Sequence, residues 1–413
     1  MQKAISFGKR IMIYATVGLM FFLVSGAVPF AQEKVIKFGA PISVTGAWTR
    51  EGASVKNAYE LWKTMANEKG GINVRGEKYK IDIKYYDDQS DTNTAVKLTE
   101  KLITEDKINF LLAPYGSGPG FACSTISEKY RVPMVCGQSS SASVFTRGYK
   151  YVFGIMVDTR HYQKPAFELA ASLGIKKVAI VYENMIWGVD TAKACLEHAK
   201  KHNIEVIFYD KFDSKAMDLS SIILQMNAKK PEFLAVNAYL QQGALLARQM
   251  KDLKINVPLV SYGYGPIELS WRQNAKDAGM YMISDTQLDI ENTRWGDKII
   301  GTPADFARTY NKMFGYVPGH SEGNSAGCGL AFQLAIEKAG SLDPEKVRDA
   351  LANLEEMTFL GKLKFDKDGS RLGQPMYAVQ IQNRDPNVKP VIVYPFDSAK
   401  VKVIYPSLPW DKR

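Results

Sequence analysis

A short apolar segment that runs directly into a loop of small residues occurs twice between Lys107 and Tyr149, and this repeated unit constrains the fold more than any other feature. The run Phe110 to Ala113 is unbroken, as expected for a strand covered on both faces of a parallel sheet. Pro114 and three glycines end it, a helix-length segment follows, and Val132 to Cys136 forms the second run. The pattern predicts parallel strands and an α/β fold.

The loops after these two runs contain residue types that bind anions. The first loop includes Gly116 and Ser117, and the second includes Ser139 and Ser140. Because the carboxyl ends of parallel strands lie at one edge of a sheet, both loops should present backbone N–H groups and hydroxyls there. We expect an anion cradle centred on Ser117 and Ser140. Alternatively, each serine caps the helix that follows it.

The chain is long enough for two hydrophobic cores. It has 413 residues, 46% of them hydrophobic, and a single core stops growing at roughly 250–300 residues. Strands and helices alternate from Val35 to Ile155, and the alternation restarts at Val178. Later predicted strands include Phe233 to Asn237, Leu259 to Tyr262, Met280 to Ser284 and Val391 to Tyr394. This pattern predicts two doubly wound lobes with right-handed crossovers. Helix-length segments after Met280 lack strands of their own, which indicates that the chain returns to the first lobe.

Residues 1–31 have the composition of a signal peptide. Lys3, Lys9 and Arg10 precede an apolar run from Ile11 to Val24, which is too short to cross a hydrocarbon layer of roughly 30 Å. We expect cleavage after Ala27 or after Ala31, and export to the periplasm; the alternative is an uncleaved anchor. Removal of the three cations would lower the net charge from +10 to +7.

Cysteine positions and charge distribution narrow the possible partners. The two predicted strands place Cys123 and Cys136 near one sheet edge, where either a disulfide or two buried thiols would be possible. The chain contains no run of five or more basic residues, and its Lys and Arg are interleaved with acids. We therefore expect no nucleic-acid partner.

Three catalytic or cofactor motifs are incomplete. The segment from Gly116 to Gly120 resembles a dinucleotide loop, but Phe121 stands at the position of the third glycine. Ser117 lacks the preceding glycine of a nucleophile elbow. His198 and His202 have helical spacing but no apparent third metal ligand. We therefore expect no catalysis, no cofactor and no metal.

Several short segments, in order along the chain, carry a family resemblance. They are Gly39 to Gly46, Asn67 to Asn73, Tyr86 to Gln89, Arg147 to Tyr149, Ala179 to Glu183, Trp187 to Gly188, and Gly361 to Gly369. Together they resemble the type I periplasmic solute-binding proteins of ABC importers, and within these the leucine/isoleucine/valine-binding and amide-binding group.

The resemblance implies an architecture and a role. Two doubly wound α/β lobes, joined by a three-strand hinge, would close around a solute and deliver it to the membrane subunits of an ABC permease. Residues 33–158 and 288–373 would form lobe 1, and residues 159–287 and 374–413 would form lobe 2. We expect a monomer without enzymatic activity.

The resemblance also implies the ligand-binding residues. The family's carboxylate cradle falls on two loops: Tyr115, Gly116, Ser117, Gln138, Ser139 and Ser140. Its aromatic lid falls on Trp187, and a tyrosine of the second lobe falls on Tyr239. Where amino-acid binders of the family place a glutamate for the ligand ammonium, this chain has Tyr262, Gly263 and Tyr264.

This departure changes the expected solute. To bury the ammonium of an amino acid without an acidic partner would cost several kcal/mol of binding free energy. The side chains expected around the cleft are aromatic instead: Trp48, Tyr115, Phe121, Trp187, Tyr239, Tyr262 and Tyr264. We therefore expect a small apolar or aromatic carboxylate. One alternative is a branched-chain amino acid, with Asp158, Glu183 or Asp285 supplying the acid. The other is a ligand sensor built on the same trap.

Overall fold

The computed structural model describes residues 33–373 and 376–413. The predicted signal peptide, residues 1–31, lies outside the described residues, and so does Gln374, where the second part of lobe 2 was expected to begin. Within the described ranges, none of the helices has the length and apolar character needed to span a bilayer.

Six strands near the N-terminus form the first sheet. They are β1 (Val35–Ile42), β2 (Ile72–Val74), β3 (Glu77–Asp87), β4 (Phe110–Leu112), β5 (Met134–Cys136) and β6 (Val152–Gly154). Their order is β2-β3-β1-β4-β5-β6, and all pairs are parallel except β2 with β3. The helices between them are α1 (Thr49–Glu68), α2 (Thr92–Thr104), α3 (Ser117–Tyr130) and α4 (Ala142–Phe145).

A second sheet has seven strands. They are β7 (Lys177–Glu183), β8 (Glu205–Phe212), β9 (Phe233–Asn237), β10 (Leu259–Tyr262), β11 (Ile283–Thr286), β14 (Tyr377–Gln380) and β15 (Val391–Tyr394). Their order is β15-β14-β11-β10-β9-β7-β8. The helices are α5 (Lys164–Ser172), α6 (Ile186–Lys201), α7 (Ser220–Ala228), α8 (Leu240–Asp252) and α9 (Leu269–Ala275).

The two sheets share one strand order. The first sheet contains the order β3-β1-β4-β5-β6 and the second contains β8-β7-β9-β10-β11, and all of these pairs are parallel. In each order the outermost strand, β3 or β8, follows its neighbour β1 or β7 along the chain. In this arrangement the chain reverses direction across the sheet between β1 and β4, and between β7 and β9. The predicted doubly wound fold class is confirmed.

The last helices pack on the first sheet. These are α10 (Pro303–Phe314), α11 (His320–Ala339) and α12 (Pro344–Ala352), followed by the hairpin β12 (Glu355–Thr358) and β13 (Gly361–Lys364). Phe332 of α11 lies against Phe38 of β1, with ring centroids 5.4 Å apart, and Trp62 of α1 meets the same Phe38 at 5.2 Å. Since α11 completes this core, the first sheet is covered in part by a segment that follows the second sheet along the chain.

Some elements of the structure are shifted from the sequence prediction or were missed by it. The strand predicted at Met280 to Ser284 forms instead at Ile283–Thr286, because Met280 to Met282 follow a 3-10 helix, Lys276–Gly279. The edge strand β2, the exposed strand β12 and helix α9 were not predicted. Short, partly exposed elements have weak hydrophobic periodicity, which is why the sequence pattern did not reveal them.

The four cysteines are free and buried, so the possible disulfide between Cys123 and Cys136 does not form. Burial raises the pKa of both thiols to about 12. Since the thiolate is the reactive form, these side chains behave as small apolar groups of the core.

We predict that the close packing of α1 on α11 makes Gly329 indispensable. A Cβ there would lie 2.0 Å from Trp62 Cδ2, so Gly329→Ala should lower the free energy of unfolding by about 2 kcal/mol. Denaturant titration measures this. Gly118→Ala is the matched control, because its Cβ would have no neighbour nearer than 4.0 Å and alanine favours a helix. Equal stability of the two variants would contradict the prediction.

Candidate functional site

The chain-reversal points of the two sheets bring four aromatic rings together. Trp48 follows β1, Tyr115 follows β4, Trp187 follows β7 and Tyr239 follows β9. The Tyr239 ring lies 6.4 Å from Trp48, 6.5 Å from Tyr115 and 5.7 Å from Trp187 between centroids. Such reversal points are where ligands bind in open α/β sheets, so the strand order alone selects this region as a candidate site.

A small cavity, here called the cradle cavity, lies among these loops. It is lined by Tyr115, Ser117, Gln138, Ser140, Met156, Tyr162, Trp187, Tyr239 and Tyr264. Its volume is about 20 Å³, which is room for roughly one water molecule. A solute therefore enters only if the aromatic rings or the loops that carry them move apart.

Hydrogen bonds connect the two sheets across the cradle cavity. Trp187 Nε1 donates to Ser140 Oγ at 3.1 Å, and the Ser117 backbone N–H donates to the Tyr239 hydroxyl at 3.4 Å. Ser141 N donates to Ser117 Oγ at 3.1 Å. The structure thus places both predicted cradle serines at one cavity, each within hydrogen-bonding distance of the opposite sheet or of the other serine loop.

The two serines do not act as helix caps. Helix α3 begins at Ser117 itself, after Gly116 with φ of 88°, and no side chain caps it. Helix α4 follows Ser141 and also lacks a side-chain cap. At the start of α3 the Ser117 N–H donates to the Tyr239 hydroxyl and the Gly120 N–H donates to the Gly116 carbonyl. A carboxylate there would compete with Tyr239 for the Ser117 N–H, at a helix N-terminus that stabilises negative charge.

The other two cradle residues have structural partners. Ser139 Oγ donates to the Gly116 carbonyl at 3.0 Å. Gln138 Nε2 donates to the Ser321 carbonyl at 2.6 Å and to Ser325 Oγ at 3.2 Å. Ser139 thus ties the two cradle loops together, and Gln138 ties the second loop to α11.

At the end of β10 and just after it, some residues belong to the core and others line the cavity. Tyr262 is fully buried with its ring 5.1 Å from Trp271, so the expectation that it faces the cleft is wrong. Gly263 lies against the Trp187 ring, since a Cβ there would be 3.2 Å from it. Tyr264 lines the cradle cavity. The aromatic contribution of this loop comes from Tyr264.

Phe121 also lies elsewhere. The Arg147 guanidinium stacks over its ring at 3.7 Å, and the Phe121 ring does not line the cradle cavity. A cation over an aromatic ring is a stabilising contact, so this residue has a structural role on α3.

None of the three acids considered for an ammonium lines the cradle cavity. Asp158 is buried, but hydrogen bonds from Arg160 and His161 outweigh that burial and hold its pKa well below the usual range. Burial raises the pKa of Glu183 to about 7 and that of Asp285 to about 8. Their carboxylates accept from the Tyr239 and Gln163 backbone N–H groups.

A second, larger cavity adjoins the cradle cavity. Its volume is about 360 Å³, and Tyr115 and Tyr264 line both spaces. We call it the acidic cavity because its wall includes Glu51 of α1, Glu268 before α9 and Glu322 of α11. The sequence analysis did not select these residues. The one available signal was that Glu268 is the first carboxylate after the aromatic loop of β10.

Glu268 has an unusual ionisation. Burial, followed by repulsion from Glu322, raises its pKa to about 8. A hydrogen bond from Ser321 Oγ at 2.9 Å and attraction from Arg272 and Lys389 oppose this rise but are smaller. His320, 3.9 Å away, is itself held neutral at pH 7, since burial lowers its pKa to about 4.

Within residues 33–373 and 376–413, no cluster of three or more His, Cys, Asp or Glu side chains has the geometry of a metal site. His198, one of the two histidines with helical spacing, places Nε2 3.1 Å from the Tyr162 carbonyl and is buried. Burial lowers its pKa to about 4. This histidine therefore supports the packing of α6 rather than coordination.

We predict that Glu268→Gln stabilises the protein, and increasingly so as pH rises from 5 to 8.5. The folded state holds the Glu268 proton up to about pH 8, whereas the unfolded state loses it near the ordinary value of 4.5. Ionisation therefore costs stability between these values, and glutamine removes that cost. Thermal unfolding at pH 5 and 8.5 measures the difference. Glu356→Gln, at an exposed position, is the control, and a difference independent of pH would refute the prediction.

Comparison with known proteins identifies the family. The profile of the family described as "Periplasmic binding protein" matches residues 35–386. A Leu/Ile/Val-binding protein homolog 8 from Brucella abortus (strain 2308) is 25% identical over 411 residues, which cover 95% of this chain and 98% of that protein.

Solved structures agree in fold. The branched-chain amino acid transporter substrate-binding protein LivJ from Streptococcus pneumoniae, in complex with isoleucine, superimposes with a TM-score of 0.76 at 19% identity, over 90% of this chain and 100% of LivJ. An ABC transporter solute-binding protein from Rhodopseudomonas palustris BisB5, in complex with 3,4-dihydroxybenzoic acid, gives 0.73 at 19% identity, over 91% and 99%. The chain belongs to the periplasmic binding protein family.

Proposed function

We propose that this protein is the extracytoplasmic solute-binding component of an ABC importer and that it binds a small apolar or aromatic carboxylate between its two lobes. Membership of the family supports the transport role. Proteins with the same fold bind isoleucine in one case and 3,4-dihydroxybenzoic acid in another, so the fold accepts solutes of both kinds, with the carboxylate as their common group.

The observation that carries this proposal is the meeting of two serines and two aromatic side chains at the cradle cavity. Ser117 and Ser140 come from loops of the first sheet, and Trp187 and Tyr239 come from loops of the second. The contacts Trp187–Ser140 and Tyr239–Ser117 join groups that a carboxylate would use as donors. A carboxylate would replace neutral hydrogen bonds with charge-assisted ones, which are roughly twice as strong.

Binding would then proceed in two steps. The solute carboxylate first accepts hydrogen bonds from the Ser117 backbone N–H and the hydroxyls of Ser117 and Ser140. Trp187 and Tyr239 then cover the apolar part of the solute, and the burial of their rings contributes about 25 cal/mol per Å². Because the solute contacts both lobes only when they are closed, it shifts the open–closed equilibrium toward the closed form. The closed form is what the permease would recognise.

The lobe boundaries and cellular location form part of this proposal. Residues 33–158 with 288–373 would form lobe 1, and residues 159–287 with 374–413 would form lobe 2. The crossings follow β6, β11 and β13, where the chain passes from one sheet, or the helices covering it, to the other. Export through the N-terminal signal peptide would place a monomer in the periplasm, next to the permease.

Solute class is tested by direct binding measurements. Isothermal titration calorimetry with benzoate, 3,4-dihydroxybenzoate, leucine and isoleucine should show binding of an aromatic carboxylate. The reason is that none of the described residues lining the cradle cavity is an acid that could pair with an α-ammonium. Binding of leucine with no binding of either benzoate would favour the branched-chain amino acid alternative. Mass spectrometry of small molecules that co-purify with the protein identifies the natural solute independently.

We predict that Ser140→Ala weakens carboxylate binding by about tenfold to a hundredfold. A hydrogen bond to a charged group contributes about 1.5–3 kcal/mol, and each 1.4 kcal/mol is a factor of about ten in Kd. Titration calorimetry with the carboxylate that binds the wild-type protein gives the ratio. Ser172→Ala at the end of α5, whose hydroxyl donates only to the Leu169 carbonyl, should bind as the wild type does. An unchanged Kd for Ser140→Ala would contradict the cradle assignment.

We predict that Asp190→Ala speeds solute dissociation. Asp190 of α6 accepts hydrogen bonds from the Ser141 hydroxyl and, at 3.0 Å, from the Ser143 backbone N–H, so it fastens the second lobe to α4 of the first. Its loss should raise the dissociation rate by about tenfold and leave association nearly unchanged. Stopped-flow measurement of the intrinsic tryptophan fluorescence, to which Trp187 at the cavity contributes, follows both rates. Glu197→Ala, an exposed acid on the same helix, is the control; equal dissociation rates would refute the role of Asp190.

A further inference from the structure

The acidic cavity has the size of a ligand site and adjoins the cradle cavity. Its volume of about 360 Å³ falls within the roughly 300–1,000 Å³ typical of small-molecule sites. Tyr115 and Tyr264 line both cavities. A solute held by Ser117 and Ser140 that extends past these two rings would enter the acidic cavity. The chemistry of this cavity therefore selects the far end of the solute.

Acidic side chains predominate on its wall. Glu51, Glu268 and Glu322 line it, and among its described lining residues Arg50 is the one cation. Arg50 Nη2 donates to Gln273 Oε1 at 3.1 Å, so its guanidinium has a partner and neutralises the three acids only in part. A wall of this composition attracts a positively charged group, and that charge would in turn favour the ionised form of Glu268, whose pKa burial raises to about 8.

Two of these carboxylates retain capacity to accept hydrogen bonds. Glu322 is occupied, since Oε1 accepts from Ser54 Oγ at 2.8 Å and Oε2 accepts from Gly319 N at 2.7 Å. Glu268 accepts from Ser321 Oγ. Among the described residues, the Glu51 carboxylate accepts a hydrogen bond from its own backbone N–H and from no other residue. A carboxylate has about four acceptor positions, so Glu51 and Glu268 can both bind a donor group.

The cations nearest Glu268 are directed at backbone carbonyls. Arg272 donates to the carbonyls of Pro266, Ile267 and Pro386. Lys389 Nζ donates to the Pro318 carbonyl at 2.5 Å. Since neither forms an ion pair with Glu268, the carboxylate faces the cavity without a bound cation of the protein.

A buried imidazole without a partner lies beside Glu268, although it lines a neighbouring cavity and not the acidic cavity itself. His320 is 1% exposed, and neither of its ring nitrogens has a hydrogen-bond partner among the described residues. Its Nε2 faces Glu268 Oε1 at 3.9 Å, and its ring stacks on Tyr264 with centroids 5.7 Å apart. Leaving a buried polar group unpaired is costly, and a donor placed beside Glu268 would also lie near this imidazole.

We propose that the solute is an ω-amino acid, with a carboxylate in the cradle cavity and a protonated amine in the acidic cavity, where Glu51 and Glu268 pair with the ammonium. This inference rests on the proposed function, because that function assigns the carboxylate to Ser117 and Ser140. An α-amino acid does not fit, since its ammonium is on the carbon next to the carboxylate and remains on the cradle side of Tyr115 and Tyr264. The apolar part between the two charges lies between these rings.

The test compares compounds that differ only in the distal charge. Calorimetry at pH 7.5 uses 4-(aminomethyl)benzoate against 4-ethylbenzoate, and 6-aminohexanoate against heptanoate. Within at least one pair the amine should bind about tenfold more tightly than its uncharged isostere, as expected for a buried charge-assisted hydrogen bond.

Single substitutions then assign the effect to the acidic cavity. Glu51→Gln and Glu268→Gln should each reduce the preference for the amine to about threefold or less and leave the affinity for the isostere within about twofold. Glu68→Gln, an exposed glutamate at the end of α1, has the same charge change outside the cavity and should keep the wild-type preference. Circular dichroism of each variant verifies that it is folded.

The outcomes separate the inference from the function on which it rests. If the uncharged carboxylates bind as tightly as the amines, or if the preference survives both substitutions in the cavity, the inference is wrong and the carboxylate-binding function stands. If no compound of either pair binds to the wild type and benzoate fails as well, the proposed function is wrong and the inference falls with it.

Discussion

Contact between two serine loops and two aromatic side chains is the interaction on which the site depends. Ser117 and Ser140 follow strands of the first sheet, and Trp187 and Tyr239 follow strands of the second. The hydrogen bonds Trp187–Ser140 and Ser117–Tyr239 are formed only when the two sheets approach. A solute bound as proposed would strengthen these contacts and so bias the two sheets toward the closed arrangement.

The identical strand order of the two sheets brings these groups together. Each order has one point where successive strands diverge, and loops at these points line the cradle cavity. Helix α11 joins this arrangement to the rest of the fold, because it completes the first core through Phe332 and also supplies Ser321 and Glu322 to the acidic cavity. Packing and binding thus share one element, which links the stability of the first sheet to the shape of the site.

Strongly patterned elements could be predicted from the sequence. Phe233–Asn237, Leu259–Tyr262 and Val391–Tyr394 occur at the predicted bounds, because unbroken β-branched and aromatic runs end at clear turn residues. The serine loops were also predictable, since small residues directly after a buried strand leave backbone N–H groups and hydroxyls open to a ligand. The core position of Tyr262 could not be predicted, because it depends on packing against Trp271. The acidic cavity could not be predicted either, because Glu268 accepts a hydrogen bond from Ser321, which is 53 residues away in the sequence.

By itself, the sequence determined the fold class, the family and the two serine loops that meet at the cradle cavity, because these follow from local periodicity and short motifs. The tertiary structure alone decided which aromatic rings face the cleft, that Cys123 and Cys136 stay unpaired, and that three carboxylates line one cavity. The physical reason is the sequence separation of the residues that interact. Strands and helices depend on neighbouring residues, whereas burial, ionisation and cavity shape depend on side chains that the chain brings together from distant segments.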